Sequence, residues 1–361
     1  MIKVGIVGAS GYAGSELVRL LSQHQDVTLT HLYVSEKSAD AHVHIDELYG
    51  NLRALCSLPL EPLSLQDATG LTNEDCDVIF LATEHQVSHD LAPILLDNGI
   101  VVIDLSGAFR ISDLELFSKY YGFAFGPKQT ALMADRIYGL VDWVKKEDLQ
   151  SHNLISMPGC YPTCSELALL PLAKANLLSD TMPPVINAVS GVSGAGRKAK
   201  LTNSFCEVSL NAYGLFKHRH LIEIEEQVGR KVIFNPHLGD FKRGILATIT
   251  VQLKDGVTDE QIAAAYHEAY PTAHVPAHEP KHGAPAKVRA GEALDCLVRV
   301  QSGTVKLHDV QNTPFCNISY TRDGNYMVIS SAIDNLLKGA ASQAIEAFNI
   351  HYGLPRARSL L

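Results

Sequence analysis

One cysteine stands where its thiol could act as a nucleophile. Cys160 follows a short apolar run at 153–157, typical of a strand, and a Pro-Gly turn at 158–159. A helical pattern begins at Ser165, so the spacing places Cys160 at a helix entrance. Free backbone N–H groups and the positive end of the helix dipole lower a thiol pKa there from about 8.5. We therefore predict a nucleophilic cysteine with a lowered pKa, although a space-filling cysteine is the alternative.

A proton-transfer partner for such a thiol is found at His218 and His220, which precede an amphipathic helical pattern ending near Val228. Residues two apart on a helix point in different directions, so one ring could face the thiol while the other orients a substrate. Glu223 could orient His220. A zinc site and a generic surface location are the alternatives, but the cysteines lack C-x-x-C spacing and no H-E-x-x-H occurs, so no metal is predicted.

Glycines at 8, 11 and 14 follow an apolar strand pattern at 2–7 and precede a helical pattern. Glycine permits a tight turn and the close approach of a pyrophosphate to a helix N-terminus, so the turn predicts a dinucleotide site. The second strand, 27–34, ends before Ser35, Glu36 and Lys37. Ser35 and Lys37 favour the 2′-phosphate of NADP, whereas Glu36 favours NAD.

Two further apolar runs, 77–83 and 100–106, flank a helical pattern at 87–96. Strands alternating with helices predict a doubly wound parallel sheet of the Rossmann type within an α/β fold. Thr83 and Ser106 stand at the carboxyl ends of these strands, where such sheets bind ligands.

The second half of the chain is rich in strand patterns, at 185–189, 231–234, 245–251 and 327–331, which predict a mostly antiparallel sheet in an α+β domain. A helical pattern at 335–348 is expected to pack back on the first domain. We therefore predict an NADP-binding domain at 1–157 and 331–361, and a catalytic and oligomerisation domain at 158–330. The stretch 122–136 reads as an irregular surface segment.

Length, composition and charge limit the classes of protein to which this chain can belong. The chain has 361 residues, enough for two domains, and a formal net charge of −9, which argues against a nucleic-acid partner. Basic runs at 197–200 and 217–220 could bind a small anionic substrate, or they are solvated faces. No run is apolar for long enough to span a membrane and no signal peptide is recognisable, so we expect a cytoplasmic protein. The seven cysteines lack paired spacing, so we expect no disulfides.

A glycine-rich loop at 190–197 follows a strand and could hold an acyl group, a phosphate or a nicotinamide, or be only a flexible turn. Together with the other motifs it resembles the N-acetyl-gamma-glutamyl-phosphate reductase family. The resemblance extends in order over essentially the whole chain, in segments 8–14, 158–163, 190–197, 218–220, 236–238, 243–246 and 334–340. The departures are the stretch 122–136 and Lys242, where related sequences often have proline.

This resemblance implies that Cys160 attacks the acyl phosphate of N-acetyl-glutamyl 5-phosphate to form a thioester, which NADPH reduces to the semialdehyde in arginine biosynthesis. His218 would donate and accept the proton, although the sequence leaves open whether His218 or His220 carries it. The enzyme would work as a homo-oligomer, a dimer or tetramer, through the sheet of the second domain. Two alternatives remain: aspartyl phosphate as the substrate, as in the related aspartate-semialdehyde dehydrogenases, and a nucleotide-sensing binding protein without catalysis.

Two sets of binding residues complete the prediction. The resemblance implies Ser190, Arg197, Tyr213, His220 and Glu223 as substrate-binding candidates, and Arg110 is a further candidate. The NADP(H)-binding candidates are Gly8, Ser10, Gly11, Tyr12, Ala13, Ser35, Lys37, Thr83, Ser106 and Asn335.

Overall fold

Two seven-stranded sheets form the framework of the protein, whose structure is a computed structural model describing residues 1–271 and 294–361. The first sheet has the order β3-β2-β1-β4-β5-β7-β6, and all its pairings are parallel. Its strands are β1 Ile2–Val7, β2 Val27–Ser35, β3 Leu60–Leu63, β4 Val78–Leu81, β5 Val101–Asp104, β6 Arg136–Tyr138 and β7 Leu154–Ser156. The strand order reverses between β1 and β4, which confirms the predicted doubly wound α/β sheet.

Eleven α-helices are present in the described residues. They are α1 Tyr12–Leu21, α2 Ile45–Leu48, α3 Leu65–Ala68, α4 His85–Asp97, α5 Leu114–Tyr121, α6 Pro127–Asp135, α7 Lys146–Ser151, α8 Cys160–Lys174, α9 His220–Val228, α10 Asp259–Ala269 and α11 Ala341–His351. The predicted helix 335–348 is therefore shorter at its start, because residues 335–340 form turns.

Successive residues of the first sheet face opposite layers of the core. In β4, Val78 and Phe80 pack with side chains of α1 and α11, while Ile79 and Leu81 pack with side chains of α3 and α4. Both sets are fully buried. This explains why the strand is continuously apolar, since each face of a doubly wound sheet is covered by helices.

The second sheet is mixed and mostly antiparallel, in the order β12-β13-β14-β11-β8-β10-β9. Its strands are β8 Val185–Ser190, β9 Asn211–Ala212, β10 Ile233–Leu238, β11 Ile245–Gln252, β12 Val298–Val300, β13 Cys316–Asp323 and β14 Tyr326–Ile333. Only the pairs β8–β10 and β12–β13 are parallel among the described strands. Side chains of α8 and α10 cover one face, and on the other face Tyr326 and Val328 are exposed.

The stretch 122–136 is not the irregular segment that the sequence predicted. Gly122 ends α5 in the left-handed conformation with φ +81°, and Pro127 begins α6 at a position where proline is favourable. No residue of α6 is fully buried, so the helix lacks the apolar periodicity that would have revealed it. The predicted domain division remains a prediction, and β14 carries the second sheet beyond residue 330 to Ile333.

A buried ionic cluster joins the returning chain to the first domain. Nζ of Lys338 lies 3.0 Å from Asp142 and 2.8 Å from Glu346, and all three side chains are essentially inaccessible to solvent. Arg356 contacts the same two carboxylates, each at 2.6 Å. Two cations therefore balance two anions, as burial of charge requires.

We predict that Lys338→Ala lowers the free energy of unfolding by about 3–5 kcal/mol, because two buried carboxylates would then share one arginine. Urea unfolding of the purified protein measures this change. Lys128→Ala is the matched control: its pair with Asp97 is largely exposed, so the loss should stay below about 1 kcal/mol. Equal losses in the two variants would contradict the structural role of the buried cluster.

Candidate active site

Cys160 lies where the first sheet passes into the second domain. β7 ends at Ser156, at the carboxyl edge of the first sheet, and residues 157–159 lead directly into α8. The helix begins at Cys160 itself rather than at Ser165, and Gly159 is the N-cap residue. The thiol is therefore attached to the first turn of a helix, as the sequence analysis predicted.

The turn before the thiol is a position where only glycine fits. A Cβ atom at Gly159 would lie 2.5 Å from Nε2 of His220 and 2.9 Å from Nη1 of Arg110. Both separations are shorter than van der Waals contact. The absence of a side chain therefore allows an imidazole and a guanidinium to contact the backbone next to Cys160.

Glu223 and Arg110 fix this turn. Glu223 is fully buried in α9 and accepts a 2.7 Å hydrogen bond from the backbone N–H of Gly159. Arg110, also buried, has Nη1 at 3.4 Å from that carboxylate, while its Nε and Nη2 donate to the carbonyl oxygens of Met157 and Leu105. Their hydrogen bonds hold the backbone around the thiol. The substrate contacts predicted for Arg110 and Glu223 stay predictions.

A second buried carboxylate, Glu166 of α8, belongs to the same cluster. The hydroxyl of Tyr138 lies 2.8 Å from Glu223 and 3.0 and 3.1 Å from the two oxygens of Glu166. A phenol has one proton and cannot donate fully to two carboxylates, so one of them must carry a proton. Burial and the neighbouring charge of Glu223 raise the pKa of Glu166 well above 4.5. The negative charge of the pair therefore resides on Glu223, opposite Arg110.

His218 and His220 lie together between two tyrosines. The two imidazole rings are 4.7 Å apart, Tyr161 lies 5.7 and 6.0 Å from them, and Tyr213 lies 5.5 Å from His218, as ring centroids. The hydroxyl of Tyr213 donates to that of Tyr161 over 3.4 Å. The structure thus brings Tyr213 and the two histidines together beside α8, which begins at Cys160.

Both histidines are neutral at pH 7. Burial and the nearby Arg219 lower the pKa of His218 to about 4, and burial, His218 and Arg110 hold the pKa of His220 well below 6.5. The backbone N–H of His220 donates to Nδ1 of His218 over 3.1 Å, so neutral His218 carries its proton on Nε2. The buried Nδ1 of His220 has no hydrogen-bond partner within residues 1–271 and 294–361.

The thiol itself differs from the sequence expectation. We predicted a lowered pKa, but burial raises the pKa of Cys160 to about 11. Arg110 and the backbone N–H groups at the start of α8 act in the opposite direction without overcoming this desolvation. The resting side chain is a neutral thiol, so the nucleophile must be formed by transfer of its proton to a base.

Asn335 links the glycine-rich loop to the catalytic turn. Its Oδ1 accepts a 2.6 Å hydrogen bond from the N–H of Gly244, and its Nδ2 donates to the hydroxyl of Ser193 at 3.0 Å. The turn that Asn335 begins packs on the thiol-bearing residue, because a Cβ at Gly339 would lie 2.9 Å from Cβ of Cys160. This is the region in which the nicotinamide was predicted.

The glycine-rich loop separates two predicted substrate-binding residues. Ser190 is buried at the end of β8, where it interacts with Tyr161 and donates to the carbonyl of Gly191. Arg197, at the other end of the loop, forms a bidentate ion pair with Asp40, at 2.5 and 3.3 Å. The structure therefore places Arg197 beside the dinucleotide turn and pairs its guanidinium with Asp40, and its predicted substrate contact stays a prediction.

A cleft of about 940 Å³ runs between the two domains. Residues from both domains line it, among them Gly8, Ser10, Gly11, Thr83, His85 and Arg219. Gly8 has φ +84°, and a Cβ there would lie 2.3 Å from the carbonyl oxygen of Ala82. A tight glycine turn at a helix N-terminus beside a cleft of this size fits a nicotinamide dinucleotide.

The other predicted cofactor residues lie at varying distances from this cleft. Tyr12 lines an adjoining cavity of about 660 Å³ with Arg197, and Ala13 follows it in α1. Ser35 and Lys37 are exposed where β2 ends. The contacts predicted for Ser35 and Lys37 with the 2′-phosphate of NADP therefore stay a prediction.

Ser106 has a structural use that the sequence analysis did not foresee. It is buried; its hydroxyl donates to Asp104 at 3.0 Å and accepts from the N–H of Ala108 at 3.0 Å. Its hydrogen bonds shape the loop after β5, and it is not among the residues that line the cleft.

Three polar residues around the site were not among the candidates from sequence, Tyr138, Glu166 and His85, and Arg219 was noted only within the basic run 217–220. Glu166 could have been noticed as a lone carboxylate in a continuously buried helix, since Lys, Glu, Arg and Asp are almost never fully buried without a partner. His85 directly follows the carboxyl end of β4 and Arg219 lies between the two histidines, so proximity to motifs was their signal. Tyr138 had none.

The described parts of the chain lack two other kinds of feature. There, no group of three or more His, Cys, Asp or Glu residues could hold a metal ion. No described helix is long and apolar enough to cross a membrane. All seven cysteines are free.

Family models match both domains. One described as "Semialdehyde dehydrogenase, NAD binding domain" matches residues 3–152, and one described as "Semialdehyde dehydrogenase, dimerisation domain" matches residues 160–335. The chain is 49% identical over 362 residues to N-acetyl-gamma-glutamyl-phosphate reductase of Pasteurella multocida (strain Pm70), with 100% of both chains covered. It is 48% identical to that of Escherichia coli O157:H7, again with 100% of both covered. The chain belongs to the N-acetyl-gamma-glutamyl-phosphate reductase family.

Solved structures show the same fold at low sequence identity. An aspartate semialdehyde dehydrogenase II from Vibrio cholerae superposes with a TM-score of 0.67 at 13% identity, covering 98% of each chain. A probable aspartate-semialdehyde dehydrogenase from Pseudomonas aeruginosa gives a TM-score of 0.64 at 20% identity, covering 97% of this chain and 99% of that one. These comparisons confirm the predicted fold class, and the relatives confirm the predicted family and that the chain is an enzyme.

We predict that Glu166→Gln removes a pH dependence of stability. The folded protein keeps a proton on Glu166 that the unfolded chain releases above about pH 4.5, so this residue stabilises the wild type at low pH and loses that effect as pH rises. The slope is at most about 1.4 kcal/mol per pH unit. Urea unfolding between about pH 5 and pH 8 should show the variant gaining stability relative to the wild type.

Glu223→Gln is the matched control, because it removes the charge opposite Arg110. It should be destabilised throughout the same pH range, since Arg110 would be left buried without its carboxylate. Parallel pH curves for Glu166→Gln and the wild type would show that Glu166 is not the protonated member.

Proposed function

We propose that this chain catalyses the NADPH-dependent reduction of N-acetyl-glutamyl 5-phosphate to N-acetylglutamate 5-semialdehyde and phosphate in arginine biosynthesis. Full-length identity of 46–50% to relatives of that name supports the substrate. The observation that carries the mechanism is the contact of His220 and Arg110 with the turn bearing Cys160. A thiol, a neutral base and a fixed cation at one backbone position are the groups that acyl transfer to sulfur requires.

The first step forms a thioester on Cys160. The thiol proton passes to an imidazole, Sγ attacks the acyl carbon, and the carbon–oxygen bond to phosphate breaks so that phosphate leaves with the electron pair. Arg110 stabilises the developing thiolate by charge, since it is the largest of the influences that lower the pKa of Cys160. Glu223 keeps the turn in place through the N–H of Gly159.

His220 and His218 carry out different proton transfers. His220 accepts the thiol proton, because its ring contacts the turn next to Cys160 and it is neutral at pH 7. His218 carries its proton on Nε2 and acts as the donor to the reacting oxygen. This assignment modifies the prediction that His218 alone performs both transfers.

The interdomain cleft and its glycine turn hold NADP(H). When bound, NADPH supplies a hydride to the carbonyl carbon of the thioester. His218 protonates the oxygen of the resulting thiohemiacetal and takes the proton back as the carbon–sulfur bond breaks. The semialdehyde is released, His220 returns the thiol proton to Cys160, and the departing phosphate takes one proton from solvent, so that acyl phosphate, hydride and proton yield aldehyde and hydrogen phosphate.

We also infer a cytoplasmic homo-oligomer, a dimer or tetramer, formed through the second sheet. The matching family model is described as a dimerisation domain. The sheet face opposite α8 and α10 exposes Tyr326 and Val328, at 55% and 41% of their surface. Seven free cysteines are consistent with a reducing compartment.

The expected reaction is phosphate-dependent reduction of NADP with N-acetylglutamate semialdehyde, followed by absorbance of the reduced cofactor. The wild type should be active, and Cys160→Ser should lose at least about three orders of magnitude in kcat, because a neutral hydroxyl replaces the nucleophile. Cys164→Ser, a buried neighbour in the same helix, is the control and should retain activity. Activity on aspartate semialdehyde alone would refute the substrate and leave the mechanism standing.

Alkylation by iodoacetamide tests the state of the thiol. Because burial raises the pKa of Cys160 to about 11, the rate of its modification should rise about tenfold per pH unit from neutrality, with no plateau below about pH 10. Mass spectrometry of the labelled peptide separates this site from the other cysteines. A plateau near neutral pH would establish a preformed thiolate and contradict the need for His220 as base.

A further inference from the structure

The proposed reaction places a phosphate group beside Cys160, and a cation must receive it. Two of the arginines suggested by the sequence as substrate ligands, Arg110 and Arg197, are already engaged. Arg110 is buried with its donors on backbone carbonyls and Glu223, and Arg197 is paired with Asp40. Three other cations line the cleft: Lys198 and Lys200, which follow the glycine-rich loop, and Arg219, which lies in the segment bearing the histidine pair. The assignment to Arg219 rests on the function proposed above.

Arg219 is placed for this task. It immediately precedes α9, is exposed, and lines the interdomain cleft. Its guanidinium lies over the ring of Tyr121, 5.8 Å from the centroid. No carboxylate of residues 1–271 or 294–361 forms an ion pair with it, whereas Arg110 and Arg197 both have one.

His85 supplies a neutral donor next to this arginine. Its Nδ1 accepts a 2.7 Å hydrogen bond from the backbone N–H of Gly107, so the ring proton is on Nε2. Burial and the charges of Arg219 and Arg110 lower the pKa of His85 to about 3, which keeps the ring neutral at every physiological pH. The ring packs edge-to-face on Tyr121, 5.1 Å away, so Tyr121 lies against both His85 and Arg219.

We propose that Arg219 and His85 form the binding site for the phosphate group of the substrate: the acyl phosphate in the reductive direction and inorganic phosphate in the reverse direction. A guanidinium and an N–H donor are suited to a phosphate dianion. The phosphates of the dinucleotide are the other source of this chemistry. They have their own site at the glycine turn and the N-terminus of α1, whereas Arg219 lies on the side of the histidine pair.

The site couples phosphate binding to proton transfer. Arg219 contributes to lowering the pKa of both His218 and His220, because a nearby positive charge disfavours an imidazolium. A phosphate dianion on Arg219 compensates that charge and increases the proton affinity of the histidines. The base is therefore strengthened when the acyl phosphate is present.

The test compares Arg219→Ala and His85→Ala with Lys217→Ala, an exposed neighbour that does not line the cleft. In the phosphate-dependent direction, Arg219→Ala should raise KM for inorganic phosphate by about tenfold or more, while KM for NADP and for the semialdehyde changes by less than about twofold. His85→Ala should show a smaller rise, and Lys217→Ala should match the wild type.

A second measurement does not depend on turnover. Inorganic phosphate bound on Arg219 should shield Cys160 from iodoacetamide, and so slow its alkylation despite the stronger base, in the wild type and in Lys217→Ala but not in Arg219→Ala. NADPH binding, followed by its fluorescence, should be the same in all of them. Protection by phosphate in a wild type that fails to turn over N-acetylglutamate semialdehyde would refute the proposed function and leave the phosphate site standing.

Three outcomes would overturn the proposal. The first is weaker NADPH binding by Arg219→Ala with an unchanged KM for phosphate, which would assign the arginine to the dinucleotide. The second is an equal effect of Lys217→Ala, which would indicate only a general surface charge. The third is the absence of phosphate protection in the wild type.

Discussion

The hydrogen bond from the backbone N–H of Gly159 to Glu223 connects the fold to the chemistry. It crosses from the end of the first sheet to α9 of the second domain and fixes the residue before the thiol. A buried carboxylate remains ionised only if a cation compensates it, and Arg110 does so while also bonding the backbone on either side. The position of the thiol, the approach of His220 and the charge near Sγ all depend on this pair.

The resting site keeps most of its groups neutral. A neutral thiol, two neutral imidazoles and a protonated Glu166 surround a single ion pair, which limits the desolvation that charged forms would incur. One consequence of this arrangement is that the thiol of Cys160 is protonated before substrate binds. Its benefit is a nucleophile that is protected from adventitious oxidation and alkylation, because thiolate character governs both reactions.

Much of the fold was predictable because its signals are local. Glycine spacing, continuously apolar strands and the helix after Cys160 follow directly from backbone sterics and burial, and the structure confirms them. α6 was missed because it buries nothing, so no periodicity marks it. The roles of Arg110 and Ser106 were not foreseen for a different reason: a polar side chain near a site can bind a ligand or the backbone, and sequence does not distinguish the two. The direction of the Cys160 pKa also depended on burial, which a helix-entrance pattern does not reveal.

The helix layer of the first sheet is completed by α11, which comes from the far end of the chain and packs on α1. During synthesis on the ribosome, the strands of that sheet emerge long before this helix does. The part of that face that α11 covers therefore stays exposed while the whole second domain is being made, a period of about ten to tens of seconds at about 5–20 residues per second. The order of the elements therefore requires that the nascent chain be protected during that interval, by chaperones or by slow collapse of the sheet.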